Sequence, residues 1–185
     1  MGNERALEIY RTLGLHVITQ LAELSSSMKI ACAPDEAAAE ITHWLGSHLR
    51  TEGQGDGNMG ARLERCIARE LAGGAERVMV LGTDCPEISA QLVADAFLLL
   101  DSHDAVFGPA FDGGYYLVGV HRRARAAAGA LFREIPWSTP KVLAITLAAA
   151  KRNGLTVALT KSLADIDTEQ DWRQWQHRVA LAGTP

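Results

Sequence analysis

Residues 77–86 read RVMVLGTDCP, and the change of character within these ten residues decides the fold. Val78, Met79, Val80 and Leu81 form a continuous apolar run, the pattern of a strand buried on both faces. Gly82, Thr83, Asp84, Cys85 and Pro86 then end it abruptly. Open α/β sheets bind ligands just outside the carboxyl ends of their strands, which is where Asp84 would stand.

Helix and strand signals alternate on either side. Leu7, Tyr10, Leu13, Val17, Leu21 and Leu24 recur at steps of three and four and predict an opening helix, ended by SSS at 25–27. MKIACA at 28–33 predicts a short strand, and Pro34 and Asp35 start a second helix reaching about residue 49, with Ile41 and Leu45 on its inner face. TEGQGDGNMG at 51–60 holds four glycines and predicts a loop. Asn58 caps the next helix, along which Met59, Leu63, Ile67 and Leu71 step by four before Gly73 and Gly74. Downstream, a helix is expected over 89–100, then strands in DAVFGPA and GYYLVGV separated by FDGG. Thr139 and Pro140 open a helix that Gly154 closes, LTVALT is a late strand, and Thr168 caps a last helix with Trp172, Trp175 and Val179 on one side. This alternation predicts an α/β protein: a three-layer, mostly parallel sheet with helices on both faces, in one domain over residues 1–185.

Bulk properties narrow the function. A net charge of −4 without a basic block argues against a nucleic-acid partner. No apolar run approaches the roughly 18 residues of a membrane span, and no secretory apolar core follows the start. Cys32, Cys66 and Cys85 cannot all pair within one chain, so reduced thiols in a cytoplasmic protein are expected.

Asp84, Asp112 and Asp167 each follow a different predicted strand and therefore point toward one rim. Carboxylates gathered there repel one another unless a cation sits between them. The surrounding motifs offer no Lys or Arg, so Mg²⁺ or Mn²⁺ is the expected counter-ion and a nucleoside diphosphate compound the expected ligand. Each acid also has a plainer reading: Asp84 as a turn cap, Asp112 as hairpin chemistry in DGG, Asp167 as a charge at a helix N-terminus. Cys85 is either a nucleophile at a helix start or a small core residue. Trp137 in IPWST either stacks on a sugar or base or packs in the core. GQGDGNMGARL is a glycine-rich loop opening a helix; it can hold phosphate, aided by Arg62, but is neither a Walker motif nor GxGxxG.

GTDCPEIS, GPAFDGGYYLVG, IPWSTPKVL and DIDTEQDW occur here in that order. Together they resemble a bacterial family of uncharacterised, glycosyltransferase-like proteins with the nucleotide-diphospho-sugar transferase (GT-A, Rossmann-like) fold. Some of its members are described as arsenosugar-biosynthesis glycosyltransferases. The resemblance covers nearly the whole chain, and DIDT is also similar to the tail motif of molybdenum-cofactor and 2-phospho-lactate guanylyltransferases. It implies that Asp84 stands for the metal-binding acid of a DxD motif whose first acid is replaced by Gly82, and that Asp167, with Asp165 beside it, completes the metal site. It implies that Asp112, the candidate catalytic residue, faces the acceptor or the metal, and that Gln54, Gly55, Gly57, Arg62 and Thr83 lie by the nucleotide. The expected activity is a metal-dependent transferase using a nucleotide sugar and a small-molecule acceptor. The alternatives are a nucleotidyltransferase of the guanylyltransferase type and a non-catalytic binding or assembly module. Family members begin with a strand and a basic loop, which this chain, opening MGNERAL, is expected to lack. That strand would be central, so the sheet rearranges, a second copy fills the gap as a homodimer, or the start lies upstream.

Overall fold

A computed structural model describes residues 2–182. Six strands and six helices alternate: α1 (Asn3–Gln20), β1 (Lys29–Cys32), α2 (Ala38–Leu45), β2 (Arg50–Gly53), α3 (Met59–Ala72), β3 (Arg77–Leu81), α4 (Ala90–Ser102), β4 (Ala105–Pro109), β5 (Tyr115–His121), α5 (Val142–Arg152), β6 (Val157–Leu159) and α6 (Glu169–Ala182). Short 3-10 turns occupy several connections.

The strands form two sheets. The larger has the order β3-β5-β4-β6 and is mixed: β5 runs antiparallel to β3 and β4, while β4 and β6 are parallel. Three of its four strands thus share one direction, so their carboxyl ends gather at one side. The antiparallel member is the strand after FDGG, whose tight hairpin reverses the chain at once. The smaller sheet pairs β1 and β2 in parallel, Lys29 opposite Arg50 through Cys32 opposite Gly53. No strand among the described residues joins β1 to β3, and both border the cleft described below.

Side chains alternate across the larger sheet and so divide the core in two. Val106 and Leu117 pack with Leu92, Val93, Ala96 and Leu100 of α4 and with Val17 and Leu21 of α1. Ala105, Phe107, Val118 and Val120 face the opposite way, onto Ile67 and Leu71 of α3 and Ala150 of α5. Both faces are therefore covered by helices, as the unbroken apolar runs require. A third, smaller cluster joins Ile9 and Leu13 of α1 to Trp172 of α6.

Several boundaries differ from the sequence expectation. Residues 50–53 form β2 rather than part of a loop; RTEG has no apolar alternation, and its pairing is a tertiary fact. α2 stops at Leu45 instead of near residue 49, because Gly46 at φ 93° leaves helical space. α5 begins at Val142, two residues after Pro140, since the Thr139 hydroxyl donates to Pro136 O and closes a separate turn first. Leu7 and Tyr10, expected in the buried stripe of α1, are exposed; Ile9, Leu13, Val17 and Leu21 carry that face. The caps expected at Asn58 and Thr168 form, their side chains accepting from Ala61 N and Asp171 N, and Ser89 adds one by accepting from Leu92 N.

Candidate functional site

The sheet carries four aspartates to one place through three connected loops. β3 ends at Leu81 and runs into Gly82, where an added Cβ would lie 2.6 Å from Asp84 Oδ1. The Asp84 carboxylate therefore lies close over residue 82, and a side chain there would have to push it aside. At the β4–β5 hairpin, Gly113 adopts φ 90° and packs so closely on Pro140 that a Cβ would meet its carbonyl oxygen at 2.3 Å. Asp112 at the tip accepts from Gly114 N at 2.7 Å. Its turn role is thus real, yet it also lines the cleft.

The segment after β6 ties these loops together. Leu163 bridges to Ala110 and accepts from Phe111 N at 3.2 Å. Ile166 N donates to Asp84 O at 3.0 Å, so Asp165 and Asp167 flank a residue bonded to the backbone of Asp84 itself. The Tyr116 hydroxyl, buried beneath, donates to Lys161 O at 3.0 Å and fixes the start of the segment. These bonds bring together acids more than eighty residues apart in the chain.

The resulting cleft measures about 850 Å³ and is lined by Asp84, Asp112, Asp165 and Asp167. No Lys or Arg among the described residues forms an ion pair with any of the four. Asp84 keeps a solvent-facing edge, although protein packs densely around it. Burial raises its carboxyl above the ordinary value, a backbone hydrogen bond opposes this, and the charges of Asp167 and Asp112 raise it further. Asp165 is raised in the same way, first by burial and then by Asp112, Asp167 and Asp84. A cluster of this kind stores repulsion that a cation would relieve. Among the described residues no three His, Cys, Asp or Glu stand close enough to cage a metal. All-oxygen donors of this kind would suit Mg²⁺ or Mn²⁺, which need only one or two protein carboxylates.

Gln54 and Arg62 line the same cleft. Gln54 Nε2 donates to Ala31 O at 3.0 Å, and Arg62 Nε donates to Gly57 O at 3.0 Å. Arg62 makes no ion pair among the described residues, so it is a cation in a cleft otherwise rich in acids. Gly55 and Gly57 do not line the cleft. Gly55 N already donates to Asp35 Oδ1 at 2.9 Å, so the loop's contribution is Gln54 and Arg62 rather than free glycine N–H groups. Thr83 lines the cleft next to Asp84, as expected.

Cys85 is fully buried, and its thiol is pushed well up, by burial first and then by the surrounding aspartates. The core reading of this cysteine holds and the nucleophile reading does not. The packing reading of Trp137 holds, since it meets Tyr115 edge-to-face at 6.2 Å and packs against Gly60; its ring also lines the cleft. Asp165, named from the sequence only as the neighbour of Asp167, lines the cleft in its own right. Ser138 lines the cleft with a left-handed φ of 61°, which no composition signal announces.

This geometry has relatives among solved structures. A provisionally assigned nucleotide-diphospho-sugar transferase from Desulfovibrio desulfuricans G20 superimposes with a TM-score of 0.85 at 27% identity, over 95% of this chain and 76% of that one. Molybdopterin-guanine dinucleotide biosynthesis protein A from Archaeoglobus fulgidus matches at a TM-score of 0.54 and 14% identity, over 89% of this chain and 85% of the other, a likeness of fold alone. No curated protein matches the chain. The nucleotide-diphospho-sugar transferase fold is thereby shown, and since one family's pattern matches residues 17–139, the chain belongs to the family described as "Uncharacterized protein conserved in bacteria (DUF2064)".

Proposed function

We propose that this protein is a metal-dependent transferase that takes a group from a nucleotide-diphosphate sugar to a small-molecule acceptor. The observation that carries the reading is the gathering of four aspartates without cationic partners in one cleft, which Arg62 also lines. Asp84 and Asp167 hold Mg²⁺ or Mn²⁺ against the diphosphate, with Asp165 adding to the negative field that attracts the ion. When bound, the metal neutralises the charge that grows on the departing diphosphate. Arg62 offers a second positive group to the phosphates, and Gln54 and Thr83 line the nucleotide side. Asp112, exposed at its hairpin tip, orients the acceptor hydroxyl and takes its proton. Its hairpin is pinned by Leu143 N donating to Gly113 O at 3.0 Å, which keeps the carboxylate from drifting.

Calorimetry with Mn²⁺ and a panel of nucleoside diphosphates tests this reading. Binding is expected with at least one nucleotide when Mn²⁺ is present, and Asp84→Asn or Asp167→Asn should weaken it at least tenfold. The Asp84→Asn chain should also melt higher than wild type without ligand at neutral pH. A carboxyl held above its ordinary value costs stability once ionised, and the amide removes that cost. Absence of heat with every nucleotide overturns the proposal. Pyrophosphate release from a nucleoside triphosphate would replace sugar transfer by nucleotidyl transfer.

A further inference from the structure

Ser138 sits in a conformation that glycine tolerates and serine does not, at φ 61°. Nothing in its own bonding explains the choice, since its hydroxyl makes no hydrogen bond among the described residues. The surrounding loop holds it there. Trp137 N donates to Ile135 O at 2.9 Å, and the Thr139 hydroxyl donates to Pro136 O at 2.7 Å. The Trp137 ring is wedged between Tyr115 and the start of α3, where a Cβ on Gly60 would lie 2.8 Å from the indole nitrogen. Glu134 is also left-handed, at φ 58°, but does not line the cleft. Strain alone is therefore not the argument. At Ser138, the left-handed conformation coincides with an exposed hydroxyl on the lining of the cleft that holds the four aspartates, open to a ligand that displaces water.

We infer that Ser138 is a binding residue that hydrogen-bonds the sugar of the donor, an inference that rests on the function proposed above. The sugar is joined covalently to the diphosphate, so it must lie within a bond or two of the acidic rim. The loop carrying Ser138 reaches that rim directly, because Pro140 packs onto Gly113 beside Asp112. A hydroxyl that can donate or accept suits the alternating character of a sugar ring's own hydroxyls. The neighbouring Trp137 and Thr139 supply an apolar surface and a further hydroxyl on the same wall. Backbone strain retained at a ligand-facing residue is what a site shows when the side chain is needed there.

Two substitutions separate the hydroxyl from the strain. Ser138→Ala removes the hydroxyl and keeps the strain, whereas Ser138→Gly removes both. Calorimetry with Mn²⁺ compares UDP with UDP-glucose and GDP with GDP-mannose, and thermal unfolding is followed in parallel. Both variants should bind the nucleotide sugar about tenfold more weakly than wild type, the effect of one ordinary hydrogen bond, and bind the plain diphosphate unchanged. Only Ser138→Gly should melt higher. Unchanged affinity for the nucleotide sugar in both variants overturns the assignment of Ser138 while leaving the proposed function standing. An equal loss for diphosphate and nucleotide sugar overturns it too, since Ser138 would then face the phosphates. A wild-type chain that binds no nucleoside diphosphate of the wider panel overturns both readings together.

Discussion

In the β3-β5-β4-β6 sheet, Val106, Phe107, Leu117 and Val118 are almost wholly out of water, with helices on either side. In the β1-β2 sheet Cys32 alone is buried. The smaller sheet is tied down by charge: Lys29 Nζ meets Glu70 at 2.7 Å, and Arg69 pairs with Glu52 and Glu70. The two sheets border one cleft, yet one is held by packing and the other largely by partly exposed ion pairs. The acids ride on the first and Gln54 follows the second, while Arg62 stands at the start of α3, which packs on the first. The difference implies that the β1-β2 edge of the cleft opens at lower cost than the packed sheet. A transferase that must admit a large nucleotide and then enclose it has a use for such an asymmetry.

The most severe way to break this comparison is to hollow out the packed side. Phe107 is fully buried and lies edge-to-face on Tyr115 at 5.0 Å. Phe107→Ala should cost about 3–5 kcal/mol, measured by urea unfolding, because both the transfer of the ring and the cavity left behind count against the fold. Amides of β4 and β5 should lose hydrogen-exchange protection together. If the loss were under 1 kcal/mol, the claim that packing dominates this sheet would fail.

A polar link inside the same sheet gives the next effect. Asp104 accepts from Thr156 N at 2.9 Å, from the Thr156 hydroxyl at 2.7 Å and from Arg123 Nε at 3.0 Å. Burial pushes its carboxyl up, but these bonds outweigh it and hold the group below its usual value. A depressed carboxyl stabilises the fold above its unfolded value, near about 3.9, and the benefit is lost as pH falls through the lower folded value. Asp104→Asn should therefore cost about 1–2 kcal/mol at pH 7, and the gap from wild type should narrow as pH falls through the lowered folded value. A gap independent of pH would mean that the charge is not what counts. Asp84 and Asp165 have the opposite sign, which sets the candidate site apart from the scaffold carrying it.

How much of this was legible in the sequence follows from the same contrast. Strands β3, β4 and β5 declared themselves, because burial on both faces writes an unbroken apolar run. β2 did not: its stability comes from β1 and from Arg69, far along the chain. The acids were readable as ends of strands. Their meeting was not, since it depends on bonds such as Ile166 N to Asp84 O that no spacing encodes. Ser138 was invisible because φ is imposed by the packing of Trp137, not by the residue's type. Gly55 looked like a phosphate donor because the sequence could not reveal that Asp35 takes its N–H.

The gentlest test sharpens the soft side. Glu70 is held below its ordinary value chiefly by its hydrogen bond from Lys29. Lys29 and Glu70 keep 34% and 23% of their side-chain surfaces in contact with solvent, so water and salt screen the pair. Glu70→Gln should therefore cost only about 0.5 kcal/mol in global unfolding, a loss that shrinks in 0.5 M NaCl. Locally it should show more. Amides of residues 29–32 and 50–53 should exchange faster, while those of β4 and β5 stay protected. If protection fell equally in both sheets, the two would be one cooperative unit, and the picture of a β1-β2 edge that opens at lower cost would have to be abandoned.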